Sequence, residues 1–329
     1  MAPTPLSYTT LHGPTMGTTW TVKLCDPGRA IALETLEAVI QATLDRITRQ
    51  MSTWDPDSSI SLLNRSERGW YGVPDELFHV LEHALSLARD TAGAYDPTLG
   101  KLVDLWGFGS SGPCSGLPTA DDIAAALAPA GWNHAGLNRQ HLAVWQPGGL
   151  SFDLSSIAKG YGVDQIAVVL DKHRIEHYLV EVGGELKARG SNEQGKPWRV
   201  SIEIPASGED PGPESTPPAL PIVLANASVA TSGDYRRYFA HDGRRYAHTL
   251  DPATGYPAVH ALASVSVLHD QCMMADALAT ALFSMGPDHG PQYARSRRIP
   301  ALFMVRHPGD MALEWTDEFT ALAGNPGKP

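Results

Sequence analysis

Asp276 and Thr280 stand four residues apart in CMMADALATALF, the otherwise apolar run at residues 272–283. At that spacing both side chains project from one face of a helix. A helix that is apolar nearly all round is buried, and a buried carboxylate without a partner is costly or takes up a proton. No Lys or Arg lies within helical reach of Asp276; the next downstream is Arg295. The partner therefore comes from elsewhere in the fold, or it is a metal ion. Carboxylate and hydroxyl are hard oxygen ligands, and a site with few protein oxygens suits Mg2+, which keeps waters and bridges substrate phosphates. The plainer alternative is an Asp bonded to backbone N–H groups, with Thr280 bonding back to its own helix.

Two further stretches point toward the same chemistry. In DLSSIAKGYGVDQIA (153–167), Asp153 can cap a helix whose first turn holds two hydroxyls, and such an N-terminus offers free N–H groups to an anion. Lys159 then stands within two turns of that end, placed to neutralise a phosphate as a point charge, and Gly160 and Gly162 allow close packing or close approach of a ligand. In YAHTLDPATGYP (246–257), His248 precedes a turn ended by Gly255, where an imidazole can act as a general base. Taken together, a hard-metal half-site, an anion-binding turn with a lysine and a loop histidine suggest metal-assisted chemistry on a phosphate ester. Two other patterns read as ordinary surface. GFGSSG (107–112) satisfies G-x-G-x-x-G, but Pro113 follows it and no helix opens, so it is a loop and not a nucleotide fingerprint. His79 and His83, four apart on a helix, lie off its apolar stripe and are solvated.

The elements that must position these groups show in the periodicity. Residues 17–24 alternate as a half-buried strand. Residues 32–51 form an amphipathic helix with Leu36, Ile40, Leu44, Ile47 and Met51 in one stripe, and a second helix runs from Pro74 to Thr91, stopped by Gly93. A third covers 120–129 with Thr119 as N-cap. Residues 177–190 read as two strands around a Gly-Gly break, with further strands at 199–204, 221–233 and 261–269. The Pro-, Gly- and acid-rich segment 205–219 is a flexible surface loop between two strands. Clustered strands and helices, without strict alternation, favour an α+β fold over a doubly wound sheet. Composition sets the outer limits: 43% hydrophobic and 19% charged residues are those of a globular protein, and a net charge of −11 excludes a general nucleic-acid binder. Three dispersed cysteines (Cys25, Cys114, Cys272) give neither a disulfide framework nor a zinc spacing, and no apolar run is long enough to span a membrane. The N-terminus carries no export signal as written; the chain reads as cytoplasmic, or as periplasmic and lipid-anchored if a leader has been removed.

In order along the chain, eight pieces resemble the ApbE family of FAD:protein FMN transferases: PTMGTTW (14–20), MSTWDPDSSISLLN (51–64), GAYDPTLGKLVDLWGFG (93–109), DLSSIAKGYGVD (153–164), YLVEVGGELKARG (178–190), ATSGDYRRYF (230–239), HTLDPATGYP (248–257) and ADALATAL (275–282). The resemblance implies a single T-fold-related α+β domain over 1–329, its core about 8–323, of mostly antiparallel sheet with packed helices. It implies a Mg2+-dependent enzyme that moves the FMN half of FAD onto a Thr or Ser hydroxyl of an acceptor flavoprotein, leaving AMP. The acceptor carries a motif resembling (Ser/Thr)-Gly-Ala-(Ser/Thr). The rival readings are an FAD pyrophosphatase and a non-catalytic FAD-binding protein. Carried over residue by residue, Asp276, Thr280 and an oxygen of Ser156 hold the metal. Met16, Trp54, Ala94, Tyr95, Asp96, Asp153, Lys159 and the backbone near Leu250 contact FAD, and His248 is the base. Some relatives have an acid where Ala279 stands, which leaves this chain one metal ligand fewer.

Overall fold

The structure is a computed structural model that describes residues 8–25, 31–114, 116–205, 218–235, 238–241 and 244–323. They fall into two compact units, the first comprising Met1–Asp45, Lys159–Ser232 and Ala261–Pro329, the second Arg46–Ala158 and Gly233–His260. The α+β expectation holds: helices pack on a mostly antiparallel sheet. Among the described residues no helix is long and apolar enough to cross a membrane.

The first unit is built on an eight-stranded sheet whose spatial order follows the chain: Tyr8–Thr15, Thr18–Cys25, Tyr178–Val182, Glu185–Arg189, Ser228–Gly233, Leu262–His269, Ala301–His307 and Asp310–Trp315. Three of its hairpins turn through only two residues, the last of them Pro308 and Gly309 between Ala301–His307 and Asp310–Trp315. Met16 and Gly17 join the first pair with φ of 46° and 70°, and Gly183 and Gly184 join the third and fourth strands with φ of 59° and 106°. Such tight turns match the twist of the strands but need left-handed backbone, which glycine adopts freely and methionine only with strain. On one face of the sheet, Trp20, Val22, Val180 and Val182 pack against Leu36, Ile40 and Leu44 of the Leu33–Met51 helix and Val163, Ile166 and Leu170 of the Ala158–Lys172 helix. Another cluster sets Leu179, Ala188, Leu302 and Met304 against the Trp198–Glu203/Ala219–Leu224 hairpin and Phe319. The loop read at 205–219 does join two strands, which pair directly as far as Glu203 and Ala219; residues 206–217 lie outside the described residues.

The second unit holds the helices Ser59–Asn64, Asp75–Asp90, Gly100–Leu105 and Ala120–Leu127 and a small sheet in the order Gly69–Gly72, Ala143–Gln146, Gly136–Asn138. The predicted cap of the fourth is present as a full capping box, Thr119 with Asp122. Leu99, Leu102, Trp106, Ile123 and Leu250 form a core here. Asn64 clamps the backbone of Phe152 from both sides, donating to its carbonyl and accepting from its N–H at 2.8 Å each.

Two expectations need correction. Residues 221–233 are not one strand: Ala219–Leu224 ends before Asn226, whose φ is 50°, and Ser228–Gly233 begins after it. Asn tolerates the left-handed region through its short polar side chain, and the apolar residues around it conceal the break in the sequence. Nor does Asp153 cap the long helix, which begins at Ala158. Its carboxylate accepts from Ser155 N–H at 2.9 Å and fixes the turn that leads into the helix, so Lys159 lies in the first helical turn.

Candidate active site

In the first unit, three charged side chains from three elements meet: Lys159 at the start of the Ala158–Lys172 helix, Glu185 just after the Gly183–Gly184 turn, and Asp276 in the Cys272–Ser284 helix. Lys159 forms an ion pair with Glu185, whose side chain is 4% exposed. Asp276, equally buried, accepts a hydrogen bond from Gly160 N–H at 3.1 Å and feels the Lys159 charge. The partner missing along its own helix is thus a backbone amide and a lysine from a neighbouring helix. Burial pushes the Asp276 carboxyl up, opposed by Lys159 and the Gly160 amide. Burial would push the Lys159 ammonium down, but Asp276 and Glu185 together hold it above its ordinary value. Thr280 does not bond back to its own helix: its hydroxyl shares a 2.8 Å hydrogen bond with Ser232 Oγ. Met16 packs beside the same Ala158–Lys172 helix: a methyl added at Gly162 would lie 3.4 Å from its Cε.

Gly160 explains how the two helices come so close. A methyl on it would lie 2.4 Å from the carbonyl oxygen of Cys272. One turn further on, Asp164 accepts from the N–H groups of Cys272 and Met273 at 3.1 and 3.0 Å, and Lys187 bonds Asp164 at 2.9 Å. Each helix therefore sends a carboxylate to the backbone of the other, with the Cys272–Ser284 helix capped by Asp164 in place of a cap of its own.

In the second unit the structure brings Ala94, Tyr95 and Asp96 beside Asp153 and Ser156. Asp153 N–H donates to the Pro97 carbonyl at 2.8 Å, and the Ser156 hydroxyl donates to the Tyr95 hydroxyl at 3.1 Å. Asp96 is engaged on both oxygens: Oδ1 accepts from Thr98 N–H and hydroxyl, Oδ2 from Trp132 N–H. Burial raises its carboxyl, and those donors pull it back. Trp54 is 59% exposed. His248 and Leu250 lie on a different loop, closed by Gly255 N–H to Asp251 carbonyl at 2.8 Å and tied to the core by Trp106 Nε1 donating to the Gly255 carbonyl at 2.8 Å. His248 sits edge-on to Phe108, the ring centroids 6.2 Å apart. The GFGSSG segment is indeed a loop, held by Asp104 accepting from Ser111 N–H, and His79 and His83 lie side by side with their rings tilted at 52° to each other.

The sequence profile described as the ApbE family matches residues 16–303. The chain belongs to the ApbE family. A curated FAD:protein FMN transferase of Vibrio cholerae is 40% identical over 92% of this chain and 89% of its own length. The solved structure of the flavin transferase ApbE from Vibrio cholerae superposes with a TM-score of 0.89 at 36% identity, covering 97% of this chain and 100% of that one. The apo flavinyl transferase ApbE of Pseudomonas stutzeri gives 0.88 at 37% identity, over 97% and 98%.

Against that family membership, three residues stand out that the sequence reading passed over or did not assign. Glu185 was legible only as one acid in a strand, although a lysine buried beside Asp276 calls for a counter-ion. Ser232 had no local signal, since its partner Thr280 is 48 residues away. Gly160 carried a signal for close packing, and the closeness is to Cys272. The residues also fit a hard divalent cation. Two carboxylates face one ammonium, Glu185 Oε2 is buried with no hydrogen-bond partner of good geometry among the described residues, and Thr280 adds a neutral oxygen. No group of three His, Cys, Asp or Glu side chains converges for a metal among the described residues, so hydroxyl, carbonyl or water oxygens would have to complete the coordination.

Proposed function

We propose that this ApbE-family chain is an FAD:protein FMN transferase that attaches FMN through its phosphate to a Thr or Ser hydroxyl of an acceptor flavoprotein. The reading is carried by the family match over residues 16–303, a span that includes every residue assigned a role below and residues of both compact units. On this reading the units serve a single flavin-transferase domain. The acceptor oxygen bonds to the phosphorus of the FMN half, the anhydride bond between the two phosphates breaks, and AMP leaves with the bridging oxygen.

Asp276 and Thr280 are assigned as oxygen donors to Mg2+, with Ser156 the further donor that the family pattern adds. Mg2+, when bound, neutralises the diphosphate oxygens and favours the charge that builds up as the anhydride breaks. Lys159 adds a fixed positive charge toward the same oxygens. His248 takes the proton of the acceptor hydroxyl. Met16, Trp54, Ala94, Tyr95, Asp96, Asp153 and the Leu250 backbone bind the dinucleotide, with Trp54 stacking on one of its rings. The acceptor presents a short segment of the (Ser/Thr)-Gly-Ala-(Ser/Thr) type, small enough around the hydroxyl to bring it to the phosphorus.

Incubation with FAD, MgCl2 and a domain bearing such a segment tests the proposal by mass spectrometry. An acceptor heavier by one FMN, with AMP released, is the expected result. Free FMN and AMP with an unmodified acceptor would make the chain a pyrophosphatase, and intact FAD would leave it a flavin-binding protein.

A further inference from the structure

Lys159, Glu185 and Asp276 do not add up to a neutral set. One ammonium faces two buried carboxylates. The nearby Asp164–Lys187 pair is balanced, and burial raises the Cys272 thiol well above its ordinary value, so it stays uncharged. Uncompensated buried charge is costly, and folding alone would be served better by either acid without the other. We infer that Glu185 is a positioning residue that keeps this cluster one negative charge in excess, so that a divalent cation at Asp276 completes it. The inference rests on the Mg2+ reading above and gives that site a residue with no ligand role of its own.

The geometry supports it. Glu185 is 3% exposed: Oε1 accepts from Lys159 and its own backbone N–H lies against the carboxylate, yet Oε2 lacks a well-aligned partner. A carboxylate placed only to hold a lysine would have both oxygens satisfied. The turn before it is tight: a methyl on Gly183 would lie 2.8 Å from Thr18 Cγ2 and 3.3 Å from Lys159 Cδ, so the lysine stem runs alongside the turn. The ammonium bonds Glu185 while its charge also acts on Asp276, so one lysine is shared between two acids.

The test is a charge-count series in the full chain, with MgCl2 alone as the probe and no FAD, read by calorimetric titration and by the thermal midpoint without metal. E185Q removes the excess charge: Mg2+ binding weakens by about tenfold or more, while the metal-free protein melts at the same temperature or higher. K159M binds Mg2+ more tightly than wild type. The double variant K159M/E185Q, which restores one excess negative charge, returns to within about threefold of wild type, a difference well inside the tenfold expected per charge. Unaltered Mg2+ binding in E185Q, or a lower metal-free midpoint with the same affinity, would overturn the inference and make Glu185 a structural counter-ion. Should E185Q not fold, K159M decides alone, since unchanged or weaker binding there is fatal to it. Wild-type protein that takes up no Mg2+ removes the metal reading itself, and this inference with it.

Discussion

At the scale of single residues, Asp276 is held by one backbone amide and by the field of one lysine, which is little for a carboxylate 4% exposed. Removing it leaves Lys159 and Glu185 as a neutral pair. Asp276→Ala is therefore expected to melt no lower than wild type in the absence of metal, yet to lose about a hundredfold or more of Mg2+-dependent FMN transfer. Full activity in that variant, with EDTA still inhibitory, would place the metal elsewhere. His248 is a different case. Its loop is fixed by Asp251, Gly255 and Trp106, so truncating the imidazole leaves the loop's own bonds in place. His248→Ala should lower the rate of transfer by about a hundredfold or more while the Kd for FAD, measured by flavin fluorescence without Mg2+, changes by less than about threefold, a margin of under 1 kcal/mol. Equal losses in both would make His248 a residue of the FAD pocket.

At the scale of elements, the reach of the Ala158–Lys172 helix to the Cys272–Ser284 helix depends on Gly160 having no side chain. A methyl there meets backbone, not a yielding side chain, at 2.4 Å. Gly160→Ala must part the helices and stretch the amide-to-Asp276 bond, at a cost of about 1–3 kcal/mol, and it should raise the Mg2+ concentration needed for half-maximal transfer. Gly162→Ala is the control, since its methyl would meet only the ends of Leu44 and Met16 at 3.2 and 3.4 Å. It is expected within about 1 kcal/mol of wild type, because helix propensity offsets the crowding. Urea unfolding of both variants separates a packing clash from a general intolerance of bulk; equal losses would refute the argument. The same elements show what the sequence could reveal. The stripe from Leu36 to Met51 and the Thr119 cap are local patterns, and both appear as read. The Gly286–Ser296 helix was not legible, because its two glycines and Pro287 and Pro291 oppose helix by propensity. It forms where Gly290 lets the backbone settle against the Leu282 carbonyl and Phe303, a tertiary cause with no local trace. The site divides in the same way. Asp276, Thr280 and Lys159 carry their chemistry in type and spacing, whereas Glu185 acquires meaning only when the sheet delivers it to Lys159.

At the scale of the whole molecule, that cluster shapes how stability depends on pH. Most carboxylates that gain partners on folding have lowered pKa values and stabilise the fold above them. Glu185 runs the other way: burial, the larger cause, and the Asp276 charge push it up to about 7 from an ordinary 4.5, against the pull of Lys159. Between those two values the folded chain binds the proton more tightly than the unfolded chain does. Stability from this group is therefore greatest at the acid end of the window and falls as the pH rises through it, by up to about 1.4 kcal/mol per pH unit. Lys159, raised from 10.5, keeps its proton throughout the window and contributes no slope. Other groups add slopes of their own, so the quantity to follow is the difference in urea unfolding free energy between wild type and Glu185→Gln. Without metal, the variant should be the more stable of the two near pH 7, and the gap should close toward pH 4.5. With saturating MgCl2 the order should reverse near pH 7, because bound cation stabilises only the folded state and binds wild type more tightly. A gap that ignores both pH and Mg2+ would mean that Glu185 carries no excess charge, and that the acids and the lysine settle their account without a cation.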